Sequence, residues 1–107
     1  MRAQFVRGAD PKDTMNIGNK HAREGQKMIA AFKEIDPNLN PRITDEQVTD
    51  RAEAVVVSVF LGKKTYSITW IKSGLEYYMA SQGGSDIKES TFLKLEQAKE
   101  EIKIYLK

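Results

Sequence analysis

Apolar and polar positions along this chain change period twice, and the changes mark its elements. Met28, Phe32 and Ile35 follow one another at spacings of four and three, with Ala22, Ile29 and Ala31 beside them. That spacing predicts a helix over about residues 20–35, capped by Asn19. Asp36-Pro37 ends it, because a residue before proline avoids helical angles. Gly25 inside it costs about 1 kcal/mol relative to alanine. Ahead of it, Asp10-Pro11 reads as the start of a shorter helix that Gly18 stops. Arg2–Arg7 reads as a short strand. Further on, Thr44-Asp45-Glu46-Gln47 matches the capping box, with Ile43 and Val48 as its hydrophobic staple, and predicts a short helix over about 45–52.

From Ala54 the pattern turns β-forming. Gly62-Lys63 suits a two-residue hairpin turn with glycine first. It pairs Val59 with Tyr66, Val57 with Ile68 and Val55 with Trp70. A second tight turn at Ser73-Gly74 pairs Trp70 with Tyr77 and Ile68 with Met79. All of these fall on one face, as a coherent register requires. The opposite face then holds Val56, Ser58, Phe60, Thr65, Ser67, Thr69, Ile71, Tyr78 and Ala80. Gln82–Asp86 reads as a loop. Phe92, Leu95, Ala98, Ile102, Tyr105 and Leu106 predict a final helix over about 92–106.

The expected fold is one α+β domain over 1–107. It has an N-terminal helical segment (1–43) and an αβββα unit (44–107) built on a three-stranded antiparallel meander. The Arg2–Arg7 strand is a candidate fourth. The C-terminal helix is expected on the face bearing Val55, Val57, Val59, Tyr66, Ile68, Trp70, Tyr77 and Met79.

Composition narrows the chemistry. The 107 residues include no cysteine and one histidine. That excludes disulfides, thiol nucleophiles and zinc ribbons. The net charge of +2 is too small for a dedicated duplex binder. The longest apolar run, Ala54–Leu61, is too short to span a bilayer. No signal-peptide pattern opens the chain, and with no cysteine a reducing cytoplasmic setting is expected. His21 and Glu24 share a helix face, but a metal site needs more ligands, and His21 reads as a surface histidine near a helix start. Asp10/Asp13 and Asp45/Glu46 read as acidic helix starts rather than acid–base pairs. No catalytic residue, metal or cofactor is expected, and the chain reads as a non-enzymatic protein.

Two features could bind a partner. One is the second sheet face, with Phe60, Thr69, Ile71 and Tyr78. Either a helix of this chain covers it, or it is a partner surface or the interface of a homodimer. The other is the Lys63-Lys64 hairpin tip, which is either a contact or a solubilising turn.

The helix, three strands, helix order from Thr44 to Lys107 is similar to the double-stranded-RNA-binding domain. That resemblance implies phosphate contacts from lysines at the start of the last helix, a place held here by Lys94 and Lys99. Glu96, Glu100 and Glu101 are interleaved with them. The leader Phe5-Val6-Arg7-Gly8-Ala9-Asp10-Pro11-Lys12, followed by Met15-Asn16-Ile17-Gly18, resembles small phage and prophage proteins. It implies a phage source, a host-cell cytoplasm, and an accessory role of binding and blocking host proteins, including defence proteins. A small nucleic-acid-binding accessory protein is the alternative.

Overall fold

A computed structural model describes residues 11–107, and the side chains of the first helix from His21 onward. The Arg2–Arg7 strand lies outside the described residues. The order is α1 (Pro11–Ile35), β1 (Arg42–Val48), β2 (Glu53–Leu61), β3 (Lys64–Ser73), β4 (Leu75–Gly83), β5 (Lys88–Phe92) and α2 (Leu95–Tyr105). The strands form one antiparallel sheet in the order β1-β2-β3-β4-β5.

The α+β class and the central meander follow the sequence pattern, and four local expectations are corrected. First, α1 is a single helix that runs through Gly18 and Asn19. An interior glycine costs about 1 kcal/mol, less than a second set of unpaired helix-end groups would. Its end falls where expected: the Asp36 carboxylate accepts from the Asn38 N–H at 2.9 Å, and Leu39 turns back into the core.

Second, the segment with the capping-box motif is not a helix over 45–52. It is β1, paired along the outer side of β2 with a bulge between Ile43 and Asp45. The Thr44 hydroxyl bonds the Val56 carbonyl and the Ser58 hydroxyl instead of a helical N–H. A one-turn helix gains little on its own, whereas this pairing satisfies the edge of a buried strand.

Third, the Gly62-Lys63 turn holds and pairs Val59 with Tyr66, Val57 with Ile68 and Val55 with Trp70. The next turn is shorter by one residue. Only Gly74, at φ +80°, lies between Ser73 and Leu75, so Trp70 pairs with Tyr78 and Ile68 with Ala80. That slip exchanges the two faces of β4. Tyr78 and Ala80 join the core side, and Tyr77 and Met79 leave it. Fourth, β4 takes the first two residues of the expected Gln82–Asp86 loop, and a fifth strand, β5, follows the shorter loop, so that α2 starts at Leu95 rather than near 92. The Lys94 N–H donates to Gln97 Oε1 at 3.2 Å at that start.

Both helices pack on the same face of the sheet. α1 lies over β1, β2 and β3, α2 over β3, β4 and β5, and the helices touch each other. Met28 and Phe32 from α1, Val55, Val57, Ile68 and Trp70 from the sheet, and Ala98 and Ile102 from α2 form one buried cluster. Lys99 clamps the two helices. Its ammonium lies 2.8 Å from both Glu34 of α1 and Glu96 of α2. This bond and charge hold the Glu34 carboxyl below the usual carboxylate range.

Gly25 sets how closely α1 approaches the sheet. A Cβ there would lie 2.5 Å from Cδ1 and 3.0 Å from Cγ1 of Ile43 on β1. Gly25→Ala is therefore expected to destabilise the fold by about 1–3 kcal/mol, despite alanine's higher helix propensity. Adding Ile43→Val removes the nearest atom and should recover part of the loss. Urea midpoints of the two singles and the double measure this coupling. Strict additivity would show that the approach is not made there.

Candidate functional site

The face of the sheet turned away from the helices is covered by no element among the described residues. Its composition follows from the register, row by row across the strands. One row is Arg42, Ser58, Ser67, Ser81 and Glu89. The next is Asp45, Val56, Thr69, Met79 and Thr91. A third is Gln47, Ala54, Ile71 and Tyr77, and a short fourth is Phe60, Thr65 and Gly83. Charged side chains stand only on β1 and β5, and every position on β2, β3 and β4 is apolar or uncharged.

Two serine hydroxyls in the centre are already partnered. The Thr44 and Ser58 hydroxyls lie 2.9 Å apart, and those of Ser58 and Ser67 2.7 Å apart. Hydroxyls that keep such partners under a covering surface avoid most of the cost of burying a polar group. Around them apolar side chains stay accessible: Phe60 is 59% exposed, and Leu75 at the start of β4 and Leu93 just after β5 extend the patch. A shallow depression between β1 and β3 includes Asp45, Val56, Thr69 and Ile71 in its lining.

Of the residues singled out in the sequence, Phe60, Thr69 and Ile71 share this open face. Lys63 and Lys64 lie at the exposed tip between β2 and β3. Tyr78 does not belong with them. The slip at Gly74 turns it under α1, where its hydroxyl donates to Glu24 Oε1 at 2.9 Å. Tyr77 and Met79 take its place outside.

A second polar group lies beneath α1. His21 is buried, not at the surface. Its Nε2 sits 3.0 Å from Glu53 Oε1, its Nδ1 3.9 Å from Glu46, and its ring meets Trp70 edge-on. The Trp70 indole N–H donates to Glu76 at 3.1 Å. The partners of His21 stand on β1 and β2, far along the chain, so no local spacing announces them. Among the described residues no three His, Cys, Asp or Glu side chains are grouped to hold a metal ion. What this arrangement does chemically is tie α1 to the sheet. Nor is any helix among the described residues long and apolar enough to cross a membrane.

No protein-family model matches the chain, and comparison with curated proteins and with solved structures finds no match.

Burial first, and then the Glu24 carboxylate, push the Tyr78 phenol above the ordinary tyrosine value. Burial likewise raises Tyr105. A raised value in the folded state means stability that is complete below about pH 10 and lost as pH climbs through the raised value. Urea midpoints measured from pH 7 to 11 should therefore fall above pH 10. Tyr78→Phe should remove part of that fall, while costing about 1–3 kcal/mol at neutral pH because Glu24 loses a donor. An unchanged alkaline slope in Tyr78→Phe would refute the assignment.

Proposed function

We propose that this chain is a non-enzymatic protein-binding module whose working surface is the open sheet face. One observation carries the reading. The chain is 30% charged, yet no outward position on its three central strands carries a charge. A sheet face that meets only water alternates polar outside with apolar inside. Here the outward positions include Val56, Phe60, Ile71, Tyr77 and Met79. An apolar centre with charges confined to the rim is the anatomy of a protein interface. A phage-type accessory role, such as blocking a host defence protein, is compatible with such a surface and rests on the leader residues alone.

The nucleic-acid alternative has less to draw on. The segment matched to the first helix of the double-stranded-RNA-binding order is a strand. Lys99, matched to a phosphate-contacting lysine, has its ammonium between Glu34 and Glu96. Lys63 and Lys64 remain, and a steep loss of RNA or DNA binding between low and high salt would favour them.

A photoactivatable benzophenone side chain placed at Phe60 tests the protein-binding reading in the source cell. The expected result is a defined protein adduct from position 60, none from Lys33 on exposed α1, and loss of the adduct on adding Ile71→Lys. No adduct at position 60, or equal labelling at both positions, would overturn it.

A further inference from the structure

We infer that the partner on the open face is a second copy of this chain, packed face to face about a two-fold axis that runs along β3. This rests on the reading of the open face as a binding surface and names its occupant. The argument is the order of side chains in each row. A two-fold axis lying between two sheets and parallel to β3 keeps every row opposite itself and reverses its order. Each β1 then faces the partner's β5, each β2 faces the partner's β4, and β3 faces itself.

Under that operation one row is complementary in charge, while the row of Asp45 sets that carboxylate over the partner's Thr91 hydroxyl. The row that begins with Arg42 ends with Glu89, so each Arg42 meets the partner's Glu89 and the pair forms twice. Between them lie only serines. Bulk also alternates in the required sense. Phe60, the exposed aromatic group, comes over the partner's Gly83, which has no side chain. Tyr77 comes over the partner's Ala54, and Met79 over the partner's Val56. Large groups opposite small ones let two sheets interdigitate at the usual separation of about 10 Å.

The other simple two-fold axis, across the strands, sets Arg42 over the partner's Asp45. It leaves Glu89 facing the partner's Thr91, just as the axis along β3 leaves Asp45 facing it. The axis along β3 is favoured because it places one Arg42–Glu89 pair at each border of the interface, whereas the other gathers both ion pairs at the β1 border and leaves the β5 border with none. Extent agrees as well. Five strands of five to ten residues, about 4.8 Å apart, present on the order of 600 Å² per copy. That is about three quarters of the roughly 800 Å² each partner of a stable interface buries, before Leu75 and Leu93 at its margin are added.

The test is a charge exchange read by sedimentation equilibrium of the full chain. Wild type should be dimeric at micromolar concentration. Arg42→Glu and Glu89→Arg should each weaken the dimer at least tenfold, by placing like charges opposite each other twice. The double variant should recover it, and an equimolar mixture of the two singles should form a heterodimer, because both pairs are then restored. Arg42 and Glu89 are exposed edge residues, so the singles should keep the wild-type circular dichroism and urea midpoint. A double variant no tighter than the singles, or rescue of Arg42→Glu by Asp45→Arg instead, would overturn this axis. A wild-type chain that stays monomeric at 100 µM would overturn self-association itself. In that case a benzophenone adduct from position 60 to another protein would still uphold the docking surface.

Discussion

The turn with Gly74 at its tip decides which half of β4 faces the helices. With one residue between Ser73 and Leu75, the phase of β4 is set against β3, and every side chain beyond it inherits that choice. Ala80 and Gln82 are buried on the helix-bearing side, and Tyr78 reaches Glu24 beneath α1. Tyr77, Met79 and Ser81 stand on the other side. A non-glycine residue at φ +80° would be strained, and relief by a longer turn would move each of these groups to the wrong face. The core and the open surface are thus two results of one backbone conformation.

Both helices are held on one side by contacts that leave the other free. Gly25 lets α1 lie close on β1 and β2, and Lys99 joins α1 to α2 through Glu34 and Glu96. His21 and Glu24 bond to groups on the sheet. These links gather the polar atoms beneath α1 into a satisfied set, which is the condition under which a helix can carry polar groups inward.

Much of this fold was legible in the residues. The Met28–Phe32–Ile35 spacing, the Asp36-Pro37 stop and the Gly62-Lys63 turn all act locally, and all hold. The expectations that failed depend on partners distant in the chain. Thr44–Gln47 has good helix-start chemistry, but the exposed edge of β2 offers it more backbone hydrogen bonds. Ser73-Gly74 is a turn on any reading, yet its length depends on how Tyr78 and Ala80 pack, not on the two residues themselves. β5 is too short and too charged to stand out before β4 is in place to pair with it. The site shows the same division. Phe60, Thr69 and Ile71 follow from the first hairpin, while Tyr77 and Met79 could be assigned only once the second register was known.

The edges of the sheet behave differently from its face. β1 carries a bulge and the run Asp45-Glu46-Gln47, and β5 is five residues long and begins with Lys88-Glu89. Neither border offers a long, flat, uncharged backbone to an incoming strand. Growth into open-ended ribbons is discouraged at the two places where main-chain pairing could continue. Any association is left to side chains on the broad surface, where a closed pair has no free end to extend, and where single substitutions can tune affinity without touching the hydrogen-bonded ladder.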